Sequence, residues 1–440
     1  MIYVATSALS SCLFLIAFVL YERYFVQGFL DNFTLLIVAV FVLFALFCVV
    51  SLVLRHSRFQ EPIARIWLSI TGIGFTYLLV DLAAGAFLIP TLSPSEEPDA
   101  LSHHRLVHNS QSSIYHREYK YIQRINNMGL RGEDITHQKM PDTFRIAMLG
   151  DSFTMGKGVR DDQTFSVLVE NRLNHNRELR YEVLNSGIDS YAPVLSHMQL
   201  KHRIIHLDPD LVVYNFDVGD LMQERGYRAQ ATLDNNGKVT AVDGHRDPLK
   251  FTLTQQARIW ANEHLYLSRL AIYHLQHWAH QHRAITVENV VGLANPIVLA
   301  HTLASDTEDR SKQWIDVFDS ILEMRDVCTD KGVQFLLVIY PWGHQVNETE
   351  WIPGRFGFVS AGDIISDRSV ETIIRFAAEN NITLLDLFPA FRAHAGELLY
   401  YKHDMHWTPA GHRLVAMEIA DFLKNNKAMQ RKNDRYQSSL

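Results

Sequence analysis

Ser152 stands in the run Gly150-Asp151-Ser152-Phe153-Thr154-Met155-Gly156-Lys157-Gly158, directly after the short apolar segment Phe144–Leu149. A serine on a glycine-flanked turn at a strand end can act as a nucleophile. It needs a base, and backbone N–H groups that a substrate can approach. A base is available near the far end of the chain, in Tyr401-Lys402-His403-Asp404-Met405-His406-Trp407-Thr408-Pro409-Ala410-Gly411-His412. Asp404 and His406 are two apart, so in an extended loop both side chains point the same way. The carboxylate then orients the ring while its other nitrogen faces a hydroxyl. His403 points to the opposite side of such a loop and His412 falls on the predicted last helix, which leaves His406 as the base.

Other chemistries fail on spacing. A P-loop needs four residues between its first glycine and Gly-Lys, with Ser or Thr after the lysine. Here five intervene and Gly158 follows Lys157. Gly156 and Gly158 have no third glycine for a dinucleotide fingerprint, and the G-x-S-x-G elbow is absent. Three cysteines exclude a disulfide scaffold and a Cys-rich zinc site. His274, His277, His280 and His282 lie in a Gln- and Trp-rich stretch with no carboxylate cluster, so they read as a solvated helix face. No metal and no cofactor is expected. The net charge of -7 gives no basic face for nucleic acid.

The elements that must position Ser152 and His406 alternate. Apolar strands are predicted at Phe144–Leu149, Tyr181–Leu184, Leu211–Phe216, Gln334–Tyr340 and Thr383–Leu387. Helices are predicted at Thr164–Leu173, Leu195–Ile205, in stretches over 251–330, at Val370–Asn380 and at Pro409–Asn425. Continuous apolar strands between helices imply a parallel five-stranded sheet covered on both faces, with the site beyond the C-terminal strand ends.

Gly150-Asp151-Ser152 and the segment Asp404–His412 together resemble the first and last blocks of the SGNH/GDSL hydrolase family. Asn185-Ser186-Gly187 resembles the family's second block, and Pro209-Asp210-Leu211-Val212-Val213 leads into the third. The resemblance covers roughly residues 120–425. It implies a flavodoxin-like three-layer α/β fold and acyl-ester chemistry, with Ser152 as nucleophile, His406 as general base and Asp404 as its orienting partner. It also implies oxyanion donors at the N–H groups of Ser152 and Gly187. One departure stands out: Gly219, in Asn215-Phe216-Asp217-Val218-Gly219-Asp220, occupies the place of the family's third-block asparagine. Either the Gly219 N–H or the Asn215 side chain substitutes, or the enzyme is slow, or the domain is a degenerate binder. Asp151, Asp220, Trp342 and Trp407 are further candidates for the substrate pocket, although Asp151 also reads as a structural partner of loop N–H groups.

The first ninety residues differ from the rest. They hold eight charged residues whose signs cancel, and only one of the 22 histidines. Residues 2–20, 33–54 and 67–90 are apolar runs long enough to cross a bilayer of ~30 Å as helices. Arg55, Arg58 and Arg65 in the second loop against Arg23 in the first place the N-terminus in the cytoplasm. The third run contains Asp81, an ionisable group at membrane depth. The expected organisation is a multi-pass anchor in the inner (cytoplasmic) membrane over 1–90, a linker over 91–120, an extracytoplasmic SGNH-like domain over 121–425 and a polar tail over 426–440. The expected function is hydrolysis of O-acyl, above all O-acetyl, esters on a cell-surface or exported glycan. The alternatives are a polysaccharide O-acetyltransferase with a multi-span acyl-supplying partner, or a scaffold without turnover. The expected partners are an acylated glycan or small ester, and the lipid bilayer.

Overall fold

The computed structural model describes residues 60–88, 96–245 without 117 and 176–179, 301–305, 311–352 and 362–426, with the single positions 42, 49, 53, 354 and 359. The chain divides into two units, residues 1–90 with 246–282, and residues 91–245 with 283–440.

In the first unit, helix α1 spans Gln60–Leu88 and contains most of the third apolar run. Among the described residues no helix is long and apolar enough to cross a membrane. In α1, Ser69, Thr71, Gly72, Gly74, Thr76 and Asp81 interrupt the apolar residues. The runs 2–20 and 33–54 lie outside the described residues, apart from positions 42, 49 and 53.

The second unit opens with two antiparallel hairpins, β1 (Glu96–Asp99) with β2 (His103–Leu106), and β3 (Ser110–Tyr115) with β4 (Lys120–Ile125). Within the segment expected as a linker, the described residues thus include β1, β2, β3 and the start of β4. In β4 every second residue, Tyr121, Gln123 and Ile125, is buried, the alternation of a strand with one covered face.

The central sheet then follows. Strand β5 (Thr143–Leu149) leads to the short helix α2 (Ser152–Met155), and α3 (Phe165–Asn174) to β6 (Arg180–Asn185). Helix α4 (Pro193–His202) leads to β7 (Leu211–Phe216), and α5 (Asp220–Arg228) to the hairpin of β8 (Ala231–Leu233) and β9 (Val239–Val242). After residues 246–300, which lie outside the described part together with the expected histidine helix, α6 (Ile315–Asp330) leads to β10 (Gln334–Ile339). Short α7 (Gly343–Val346), α8 (Arg368–Glu379), β11 (Thr383–Asp386), α9 (Phe388–Ala393) and α10 (Pro409–Asn425) complete the domain.

The five strands pair in parallel in the order β11-β10-β7-β5-β6. In chain order this is the 2-1-3-4-5 arrangement of flavodoxin-like sheets. Every residue of β5 and β7 is buried, which explains their unbroken apolar sequences. Helix α10 packs on α3, and α6 on α4. Right-handed crossovers in this strand order place those pairs on opposite faces of the sheet. Cys328 is buried in the core against the sheet, and burial pushes its thiol up to about 12. It is packing, not chemistry.

Candidate active site

The sheet order reverses between β6 and β7, on either side of β5, and a crevice opens at the C-terminal ends of such strands. Ser152 lies there, three residues past the end of β5. Gly150 makes the turn: its φ is 148°, and a Cβ there would stand 2.3 Å from Thr154 Oγ1 and 2.9 Å from the Asn215 carbonyl. Asp151 then caps α2, its Oδ1 accepting the Phe153 N–H at 2.8 Å. Ser152 is the first residue of that helix, where backbone N–H groups have no intrahelical acceptor. Gly156 ends the helix in the left-handed region at φ 90°.

The loop after α2 is held by Arg131, whose side chain is 1% exposed. Its Nη1 donates to the carbonyls of Met155 at 2.9 Å and Gly156 at 2.6 Å, its Nη2 to Val159 O at 2.6 Å, and its Nε to Asp161 at 2.9 Å. A planar guanidinium suits this fan of acceptors.

His406 arrives from the loop between β11 and α10. The backbone closes that loop through Tyr401 N–H donating to His406 O at 3.1 Å, and Thr408 caps α10 behind it with Pro409 at the first helical position. His406 Nε2 is 2.7 Å from Ser152 Oγ, and Nδ1 bonds Asp404 Oδ1. Tyr119 Oη donates to the other carboxylate oxygen at 2.6 Å. Serine, imidazole and carboxylate therefore form one continuous line. Ser152 is 7% and His406 6% exposed, so the line is shielded from bulk water yet still reachable. Burial works to raise Asp404, but the His406 ring beside it and the hydrogen bonds from His406 and Tyr119 outweigh that. They hold its carboxyl well below the usual carboxylate range.

The other histidines are elsewhere. His412 is 1% exposed within α10, its Nδ1 accepts the Phe165 N–H at 3.2 Å, and burial with Arg131 and His406 nearby pushes it down to about 3. It is a neutral core imidazole. His403 is exposed.

Of the oxyanion candidates, Ser152 opens α2 and Gly187 packs against the Thr154–Met155 backbone of the same helix. A Cβ on Gly187 would lie 2.2 Å from Met155 N, so only glycine lets β6's end approach the helix so closely. Its N–H makes a long 3.2 Å bond to Asn185 Oδ1. Gly219 and Asn215 are not available in the same way. The Gly219 N–H donates to Asp217 Oδ1 at 2.5 Å, and Asn215 Nδ2 donates to Leu149 O at 3.0 Å, which ties β7 to β5. Where the family's asparagine side chain would begin, the Trp342 ring edge and the Asp217 carboxylate already stand.

The four residues expected at the substrate pocket are all buried: Asp151 8%, Asp220 3%, Trp342 3% and Trp407 1% exposed. Asp151 is the cap of α2. Trp407 packs among Phe153, Tyr340, Phe165 and Phe391, a core rather than a pocket wall. Asp220 Oδ2 accepts the Tyr214 hydroxyl at 3.1 Å. Tyr340 Oη bridges Asp151 Oδ1 at 3.2 Å and Asp217 Oδ2 at 3.1 Å. Burial first, and the carboxyls' mutual repulsion in Asp151 and Asp220, raise all three acids. Lys157 pairs with Asp189 at 2.7 Å. Among the described residues no group of three His, Cys, Asp or Glu could hold a metal ion.

Tyr119 and Arg131 carry no motif of their own in the sequence, whereas Tyr340, in Tyr340-Pro341-Trp342-Gly343, stands at a strand end where a pocket residue is expected. Tyr340 ends an obvious strand, but Tyr119 and Arg131 lie in a polar stretch whose only signal is the alternation Tyr121, Gln123, Ile125.

A flavodoxin-like sheet with Gly-Asp-Ser after its first strand and Asp-x-His before its last helix defines an SGNH-type domain. Residues 304–439 match the family model described as "SGNH hydrolase-like domain, acetyltransferase AlgX". That span includes Asp404 and His406, and the fold supplies Ser152 to them from outside it. The match places the C-terminal part of the chain in an SGNH hydrolase-like domain. No curated protein matches it in sequence. Solved structures similar to it include a putative G-D-S-L family lipolytic protein from Desulfitobacterium hafniense, at 11% identity over 63% of this chain and 98% of that one, TM-score 0.31. A catalytic mutant of Axe2, an acetylxylan esterase from Geobacillus stearothermophilus, matches at 14% identity over 64% and 93%, TM-score 0.33. A two-domain esterase active on acetylated mannans matches at 13% over 66% and 50%, TM-score 0.34.

Proposed function

We propose that the protein is a serine-dependent acyl-ester enzyme acting on O-acetyl groups of a glycan. The observation that carries this is the hydrogen-bonded line from Ser152 Oγ through His406 to Asp404 at the C-terminal edge of the sheet. His406 takes the Ser152 proton as Oγ attacks the ester carbonyl, and Asp404 stabilises the imidazolium. The N–H groups of Ser152 and Gly187 receive the oxyanion. Collapse expels the alcohol, protonated by His406, and leaves an acetyl-serine. With water as acceptor the cycle ends in hydrolysis. A second reading, transfer of the acetyl group to a polysaccharide hydroxyl, is supported by the match of residues 304–439 to a domain described as an acetyltransferase. The chemistry is shared up to the acceptor.

We also infer a membrane anchor. Runs 2–20 and 33–54 are uncharged, and α1 exposes Ile66, Ile70, Ile73 and Val80. The arginine asymmetry puts the N-terminus inside and the enzymatic domain outside. An outward-facing transferase would take its acyl group from a multi-span membrane partner. Protease added to intact spheroplasts should remove the domain; full protection would contradict that topology.

The activity test is acetate release from a small acetyl ester by the full-length protein, its Ser152→Ala variant, and both with an added oligosaccharide. Release by wild type alone supports the reading, and acetyl appearing on the sugar faster than in water selects transfer. Equal background release from both proteins would contradict it and favour a scaffold.

A further inference from the structure

We propose that the hairpin of β3 and β4 positions the acid–base arm of the site, through Glu118 and Tyr119 at its turn. The inference rests on the roles given above to Ser152, His406 and Asp404. Residues 401–406 carry the acid and the base but belong to no helix or strand, so their placement must come from tethers. Three successive N–H groups of that loop point at one carboxylate. Lys402 N–H donates to Glu118 Oε1 at 2.8 Å, and His403 and Asp404 N–H donate to Oε2 at 2.9 and 3.0 Å. The next residue, Tyr119, fixes the Asp404 side chain itself through its 2.6 Å bond to Oδ2. The pair therefore locks both the backbone at Asp404 and the rotation of its carboxylate, which sets where the His406 ring points.

The same hairpin reaches the other half of the site. The Tyr119 ring stacks on His116 at 4.6 Å and tilts against Tyr401 at 4.9 Å between centroids. The Tyr401 hydroxyl donates to Gly158 O at 2.7 Å, on the loop that follows Ser152. A charge-assisted carboxylate bonded to three amides is a strong, directional tether. Its value lies in geometry, because a misplacement of about 1 Å between reacting groups can cost about 100-fold. Glu118 and Tyr119 act through Asp404, so they are positioning residues rather than catalytic ones.

The test is steady-state turnover of a small acetyl ester by full-length Tyr119→Phe and Glu118→Ala, beside wild type and Ser152→Ala, with thermal melting of each. Tyr119→Phe removes one hydroxyl and keeps the ring, so the fold should survive. The expected result is kcat lower by about tenfold for Tyr119→Phe and about 100-fold for Glu118→Ala, each with KM within about twofold of wild type. A hairpin that only packs would lower the melting temperature and leave kcat unchanged. If Tyr119→Phe keeps kcat within twofold while wild type clearly exceeds Ser152→Ala, the positioning role is overturned and the function stands. If wild type equals Ser152→Ala, the function fails and this inference with it.

Discussion

Replacing Gly219 by asparagine, the residue the SGNH pattern carries at that point, should damage this enzyme rather than improve it. An asparagine that donates to an oxyanion is worth about 100- to 1000-fold in rate, so open space at position 219 would yield a gain. The space is closed. A Cβ there would lie 2.6 Å from Trp342 Cζ2 and 2.8 Å from Asp217 Oδ1, both well inside van der Waals contact. The backbone is not the obstacle, since Gly219 sits at an ordinary φ of -65°. Trp342 is 3% exposed and has nowhere to swing, and moving Asp217 breaks its bonds from the Gly219 N–H and Tyr340. Overpacking of this kind costs about 1–3 kcal/mol. That corresponds to a fall of roughly 2–10 °C in melting temperature for a domain of this size. Gly219→Ala should show most of the same loss, because the first added carbon already clashes. The assays are thermal melting and kcat/KM on a small acetyl ester. A tenfold or larger rise in kcat for Gly219→Asn at unchanged melting temperature would refute the steric reasoning.

Arg131→Met keeps most of the side-chain volume but removes the donor of the Val159 carbonyl and the cation beside Asp161, and leaves the Met155 and Gly156 carbonyls only long 3.3 Å bonds from Asn185 Nδ2 and the Val159 N–H. It should destabilise the domain by about 3–5 kcal/mol, read by denaturant unfolding. Gly187→Ala drives a Cβ into the backbone of α2 at Met155, so turnover should fall by about 100-fold or more, with lowered melting. Glu96, raised to about 7 by burial and the neighbouring Asp189, stabilises the fold as the neutral acid. That stabilisation is complete below its ordinary value of 4.5 and is lost as the pH rises through about 7. Glu96→Gln should therefore melt less steeply than wild type between pH 5 and 8, and parallel melting curves would contradict this.

The central sheet was readable because its strands are buried on both faces and carry unbroken apolar runs. Leu211–Phe216 and Pro409–Asn425 match their predicted bounds. Ser152, Asp404 and His406 were legible because strand ends and helix starts place side chains by simple geometry. What escaped was polar and non-local. Glu118 and Tyr119 meet Asp404 across more than 280 residues, with no spacing rule to reveal it. The hairpins within 96–125 are short, and β1 and β2 are mostly half-buried and polar, so their composition looks like that of a linker. Trp342, Trp407, Asp151 and Asp220 looked like pocket residues because their types suit sugars. In the fold their indoles and carboxyls are consumed by packing, capping and the Tyr340 and Tyr214 hydroxyls.

Both hydrolysis and transfer pass through a covalent acyl group on Ser152. That intermediate is tested most directly by intact-mass spectrometry of the full-length protein, quenched in acid after mixing with an activated acetyl ester. The expected result is a species heavier by one acetyl group, mapped by peptide sequencing to Ser152 and absent from Ser152→Ala. An unmodified wild-type protein under conditions in which it releases acetate, or an acetyl group on any residue but Ser152, would contradict it.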